Sequence, residues 1–167
     1  MTTLPERRAP ETRAEVTLPS TTDILITRDF AAPLALVYRA WTTPDLVRRW
    51  WSADMGQTTH AEIDLQVGGR WRYVMVTAGG QEVGFHGVYR EIVPETRLVA
   101  TEIYEGMPDS EGALNTVTFA PHGNGTRLTI LVQHAAQADR DAHLHSGMET
   151  GMQKTLAWLD DVALSLA

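Results

Sequence analysis

Residues 68–94 read GGRWRYVMVTAGGQEVGFHGVYREIVP, and this stretch decides the fold. Gly68-Gly69 marks a tight hairpin turn. After it, Trp71, Tyr73 and Met75 alternate with Arg72, Val74 and Val76, the period of a strand with two unlike faces. Ala78-Gly79-Gly80 turns the chain again. Residues 81–93 then form a long strand carrying Val83, Phe85, Gly87 and Tyr89 on one face. Ile92 falls out of that phase, which predicts a β-bulge near Arg90-Glu91. Pro94-Glu95-Thr96 closes the unit.

The same grammar continues on both sides. Downstream, RLVATEIYE (97–105) is a strand, GMPDSEG (106–112) a polar connection, and 114–120 pairs with 126–134 across the PHGNG turn. Upstream, Ala61, Ile63 and Leu65 alternate with polar residues. Residues 24–30, ILITRDF, are β-branched and apolar, and Pro33 ends that strand. Leu34, Val37, Tyr38 and Trp41 then recur at helical spacing. Thr43-Pro44 starts a second short helix bearing Leu46, Val47, Trp50 and Trp51, with Thr43 as its cap and Pro44 at the first helical position. Residues 139–166 contain no proline, and Leu144, Met148, Met152, Leu156, Leu159, Val162 and Leu166 share one stripe. They predict one continuous helix. Short connections imply antiparallel neighbours. The expected class is α+β: a curved antiparallel sheet of about seven strands, two short helices after the first, and a long C-terminal helix covering the apolar face.

Order is expected from Asp23, as a single domain over 21–167, with a flexible tail at 1–20 in which Val16-Thr17-Leu18 can pair on a sheet edge. The 167 residues carry a formal net charge of −7, from 14 basic and 21 acidic side chains. That balance argues against nucleic acid as a partner, since phosphate binding needs clustered Lys and Arg. No cysteine is present, which excludes disulfides and thiolate metal sites. No apolar run approaches the ~20 residues of a membrane span, so no membrane insertion is expected. Arg7-Arg8 is followed by APETRAEVTLPS rather than an apolar segment, so a twin-arginine signal is rejected and a cytoplasmic location is the default.

The order of these elements, with particular residues, resembles the helix-grip proteins of the SRPBCC superfamily, which includes START domains, birch-pollen-allergen-like proteins and polyketide cyclases. Within it, the bacterial branch related to the activator of the heat-shock-protein-90 ATPase is the nearer likeness. The resemblance rests on Ile26–Pro33, on Val37–Pro44 running to Arg49-Trp50-Trp51, on Gly68–Arg72, on Gly87–Pro94 and on Gly147–Met152 followed by Leu156 and Leu159. It covers the chain from about Asp23 to the end. It implies a cavity under the long helix that holds a hydrophobic small molecule; where Met152 stands, the family often has an aromatic residue. It implies no shared catalytic set.

The residues themselves point to an apolar pocket. Of Trp50 and Trp51, which project about 100° apart on a helix, one packs inward and Trp51 is taken to close the pocket rim. Trp71, Tyr73, Met75 and Phe85 supply the sheet side; Met148, Gly151 and Met152 supply the helix side. Helical glycines cost about 1 kcal/mol each relative to alanine, so Gly147 and Gly151 imply close backbone approach or space for a ligand. Flexible methionines suit an adaptable apolar pocket.

Other chemistries find less support. His143 and His145 project to different sides of a helix, and no His-Glu-x-x-His pattern appears, so no metal is expected. No cofactor motif is present, and Ser52, Ser110, Ser146 and Ser165 lack a nucleophile's setting. Glu102 lies mid-strand with Tyr104 on the same face. If that face is inward, Glu102 is a desolvated carboxyl that His86 or His134 can join as acid or base; if outward, Arg72 is its natural cross-strand partner. Glu102, His86 and Tyr104 are therefore the catalytic candidates. The leading reading is a binding protein for a hydrophobic or aromatic small molecule, as monomer or homodimer. A cofactor-free cyclase or hydrolase is the alternative, and a co-chaperone-like module a third.

Overall fold

The computed structural model describes residues 12–167. The elements follow the order β1 (Glu15–Thr17), β2 (Asp23–Phe30), α1 (Leu34–Thr42), α2 (Pro44–Trp50), β3 (Gly56–Ile63), β4 (Arg70–Thr77), β5 (Glu82–Val93), β6 (Arg97–Tyr104), β7 (Ala113–His122), β8 (Gly125–His134), α3 (Gln137–His145) and α4 (Met148–Leu164). The strands form one antiparallel sheet in the order β1-β2-β8-β7-β6-β5-β4-β3. Neighbours after β2 are joined by turns, and β2 closes on β8, so the first and last long strands lie side by side near one edge. The class is α+β, a helix-grip with eight strands rather than seven.

The additional strand comes from the expected tail. Val16 pairs with Ile26 on the sheet edge, and Ala14 is buried, its N–H donating to Gln153 Oε1 and its carbonyl accepting from Gln153 Nε2, both at 2.8 Å. Ordered structure thus begins ahead of Asp23. The rest of the expected tail, residues 1–11, lies outside the described residues.

The helix pair forms as its sequence dictates. β2 ends at Phe30, where the amides of Ala31 and Ala32 turn to the Asp160 carboxylate, and the Pro33 carbonyl accepts the first amides of α1. Thr43 separates the helices, but its hydroxyl donates back to the Arg39 carbonyl at 2.6 Å and caps nothing in α2. Trp50 is buried, donates from Nε1 to the Ala40 carbonyl at 2.9 Å and stacks on Trp41.

The C-terminal segment is two helices, not the single helix expected over 139–166. Gly147 adopts φ +84°, in the left-handed region that breaks helical geometry, and α3 ends at His145 just before it. The apolar stripe keeps its phase across the break. Leu144 and Met148 stay against the core, and Leu156, Leu159, Val162 and Ala163 are buried. The core itself lies between the helices and one sheet face, around Ile24, Val37, Val47, Leu98, Leu128 and Leu159. α4 packs mainly against α1 and α2.

Candidate functional site

Five aromatic rings form a connected series on the inner side of β4–β6. Alternation along β4 turns Trp71, Tyr73 and Met75 inward, and all three are buried. Trp71 and Tyr73 lie 5.0 Å apart between centroids. Trp51, just past α2, meets Tyr73 edge-on at 5.5 Å and Phe85 at 6.0 Å. Phe85 meets Tyr104 at 5.2 Å, and Tyr104, 38% exposed, ends the series at the solvent. Met148 and Met152 are half-buried and pack against the core, which includes Trp71 and Tyr73. Trp50 is thus a core residue, and Trp51 is half-buried beside it.

Trp71 reaches across β5 through a gap in the ladder. Pairing of β5 with β6 runs through His86↔Ile103, skips the next two positions and resumes at Tyr89↔Ala100. In the gap, Trp71 Nε1 donates to the Thr101 carbonyl at 3.0 Å, and the Val88 amide donates to Thr101 Oγ1 at 2.9 Å. Gly87 permits this: a Cβ there would lie 1.7 Å from the Thr101 oxygen and 2.6 Å from the indole nitrogen. Beyond the gap, the register shifts between Tyr89 and Glu91, the bulge that Ile92's phase predicts.

Next to the aromatic wall stands a polar group of residues, also on the inner face. Glu102 shares the parity of buried Leu98 and faces inward. Burial pushes its carboxyl up to about 6, against the opposing effect of a hydrogen bond from Asn115 Nδ2 to Oε2 at 3.2 Å. Asn115 Oδ1 is shielded from solvent and accepts no hydrogen bond. Burial also raises the Tyr73 phenol well above its ordinary value, with the Glu102 charge adding to the shift. At the end of β8, His134 Nε2 and His143 Nδ1 are 3.0 Å apart. Desolvation lowers both imidazoles, His143 to about 4, so the pair is neutral at pH 7, one ring donating to the other.

His86 does not join Glu102. It alternates to the outer face, where its Nδ1 lies 2.8 Å from Glu105 Oε2. Arg72 is there too, donating from Nε and Nη2 to the two Glu105 oxygens at 2.9 Å each, so its partner is Glu105 and not Glu102. That fork holds the Glu105 carboxyl down at about 2, with His86 contributing. Tyr104 does share the Glu102 face, but the hydrogen-bond partner of Glu102 is an amide rather than a histidine or tyrosine. A concavity of about 480 Å³ opens over Arg72, His86, Val88, Ile103 and Glu105 on the outer face. A second, about 470 Å³, lies by Arg49, Trp158 and Asp161 on the helices. Neither is the space between α4 and the sheet where the cavity is expected.

The two glycines differ in role. Gly147 makes the helix break and is not a helix-interior residue. A Cβ on Gly151 would meet only the Met55 side chain, at 3.5 Å from Sδ, so Gly151 faces a flexible methionine of the loop after α2. Sequence reasoning missed Met55, Glu105 and Asn115. For Asn115 a signal existed: in Ala113, Asn115, Val117 and Phe119 it is the polar residue on an otherwise apolar face. Among the described residues, no group of three or more His, Asp or Glu is placed to hold a metal ion, and no helix is long and apolar enough to cross a membrane.

Comparison with known proteins agrees with this architecture. A structure from Rhodobacter sphaeroides superposes with a TM-score of 0.84 at 28% identity, covering 92% of this chain and 99% of the other. One from Nitrosomonas europaea has a TM-score of 0.79 at 24% identity, over 89% and 98% of the two chains. An AHSA1-like protein from Aeromonas hydrophila, solved in solution, has a TM-score of 0.69 at 24% identity, over 86% and 93%. No curated protein matches the chain. Residues 31–163 match the family described as Activator of Hsp90 ATPase homolog 1-like protein, a stretch that includes both short helices, the aromatic wall and most of α4, and the chain belongs to that family.

Proposed function

We propose that this protein binds a hydrophobic, aromatic small molecule between α4 and the inner face of β4–β6. The observation that carries the reading is the inward series Trp71, Tyr73, Trp51, Phe85 and Tyr104, which runs from the core to the solvent. Ring edges and faces of this kind favour a planar aromatic guest, and aromatic pairs add about 0.5–1.5 kcal/mol beyond area burial. Met55, Met148 and Met152 are half-buried, and unbranched thioethers can swing aside to admit a guest at small cost. The tryptophans make binding visible: a guest against Trp51 changes its emission. Native mass spectrometry of freshly purified protein, followed by titration with the neutral fluorophore Nile red, tests the reading. The expected result is a retained molecule or saturable uptake of one equivalent, weakened at least tenfold in Trp51→Ala. Neither retention nor uptake by the parent protein would overturn it.

A second reading, a cofactor-free acid–base enzyme, draws on the inward Glu102 carboxyl, whose value of about 6 suits proton transfer near neutrality. It is the weaker of the two because Glu102 is paired with Asn115 and His86 is on the other face. The co-chaperone reading rests on the family's name alone.

A further inference from the structure

The polar residues beside the aromatic wall limit what an aromatic guest can carry. Glu102 and Asn115 sit on adjacent strands, paired through Glu102↔Ala113, with Asn115 two residues along the same face. At neutral pH the carboxylate fixes the orientation of the amide, because only Nδ2 can donate to it. Asn115 Oδ1 is then directed elsewhere, buried and without a donor. A buried acceptor left unpaired is costly, and a carboxylate with one amide donor still has acceptor capacity. The two residues therefore offer two acceptors with too few donors. The His134–His143 pair does not supply them, since neither ring makes a hydrogen bond to Glu102 or Asn115.

We infer that the guest of this site is an aromatic molecule bearing a hydroxyl or amine N–H donor, which donates to Asn115 Oδ1 or to the Glu102 carboxylate, and that carboxylate-bearing guests such as fatty acids are excluded. The inference rests on the proposed binding reading and adds the chemical class of the guest. Glu102 supplies the exclusion: a second carboxylate beside it would be desolvated and repelled. Asn115 supplies the selection: a site built to accept from a donor rejects an analogue that lacks one, because its own polar atoms stay unpaired.

Three probes with one ring system separate these statements. Calorimetric titration at pH 7.5 would use 2-naphthol, 2-methoxynaphthalene and 2-naphthoate, matched in their rings and differing in the polar group. 2-Naphthol is expected to bind about tenfold or more tighter than 2-methoxynaphthalene, which can only accept, and 2-naphthoate is expected to bind weakest. In the double variant Asn115→Val with Glu102→Leu, which leaves neither acceptor, the preference for 2-naphthol should shrink to less than threefold, while the methoxy compound binds as before or better. Should that variant fail to fold, Glu102→Gln offers a second handle, in which 2-naphthoate should gain at least threefold. Equal or tighter binding of the methoxy compound or the naphthoate by the parent protein would overturn the inference and leave the aromatic site standing. Binding of none of the three would overturn the site itself.

Discussion

Arg28 and Asp160 form a buried ion pair that ties the sheet to the long helix. Arg28 projects from β2 to the inner face, 6% exposed, with Nη1 3.6 Å from Oδ2 of Asp160, which is 13% exposed. Asp160 also accepts the backbone amides of Ala31 and Ala32, each at 3.0 Å, so one carboxylate on α4 holds the turn that leads into α1. The guanidinium lies 4.6 Å above the Phe30 ring, its Nε buried and unpartnered, and desolvation lowers its pKa.

Removing one member of such a pair leaves a charge stranded. Asp160→Ala should destabilise the fold by about 3–5 kcal/mol, the range found when buried pairs are broken from one side. Replacing both together, Arg28→Met with Asp160→Ala, should cost less than Asp160→Ala alone, because no buried charge remains unpaired. Urea unfolding of the single and double variants measures both. Equal losses would show that the two amide hydrogen bonds, not the charge pair, dominate.

Much of this arrangement is legible in the sequence where a single period governs a segment. Trp71, Tyr73 and Met75 alternate with half-buried Arg72 and Val76, although Val74 on the outer face is buried as well. The break at Gly147 is hidden for the opposite reason: α3 and α4 continue one apolar stripe through a short interruption, so Leu144 and Met148 read as one helix. Glu102 is ambiguous because β6 carries apolar residues on both faces. Ile103 floors the outer concavity while Leu98 is core. Parity alone cannot tell which side is inside. The partnership of Arg72, His86 and Glu105 depends on register, which strand spacing does not fix: Arg72↔His86 and His86↔Ile103 bring Glu105, two residues further along, to the same outer face.

Gly87 is where a methyl group should do most damage. Its absent Cβ leaves room for Trp71 to bridge to Thr101, and the atom it would strike is backbone, which cannot swing away. Gly87→Ala should destabilise by about 3 kcal/mol or more, at the upper end of overpacking effects. It should also abolish the Trp71 indole hydrogen bond. The indole N–H resonance, followed by NMR, is expected to lose its protection from exchange. A protected indole at full stability would mean that β5 and β6 can close their ladder without the gap.

Stability should depend on pH through inner groups of opposite sign, Glu102 on one side and the His134–His143 pair on the other. His143 has its pKa lowered to about 4, so between about pH 6.5 and 4 the unfolded chain takes up a proton that the folded chain refuses. Its contribution is complete above pH 6.5 and is lost as pH falls, by up to about 3 kcal/mol. Glu102 is raised to about 6, so the folded chain takes up its proton first. Acidification from pH 6 to 4.5 relieves its burial, by about 2 kcal/mol at most. The two partly cancel in the parent protein. Glu102→Gln should therefore steepen the acid loss of stability over that window, and His143→Phe should flatten or reverse it. Three parallel stability-against-pH curves would contradict both assignments.

The broken C-terminal helix makes a prediction with opposite signs at two glycines four residues apart. At Gly147 the backbone is left-handed at φ +84°, and nothing crowds the missing side chain, so only conformation matters there. Gly147→Ala should cost about 1 kcal/mol, the penalty of placing an L-residue in that region. At Gly151 the backbone is helical, and a Cβ meets the end of Met55 at ordinary contact distance. Gly151→Ala should therefore stabilise by about 0.5–1 kcal/mol, through helix propensity and the smaller entropy of the unfolded chain. A single helix running unbroken through residue 147 would have both substitutions stabilise. Thermal melts of the two variants against the parent distinguish the cases. A rise in melting temperature for Gly147→Ala would place that residue inside a continuous helix and overturn the left-handed break.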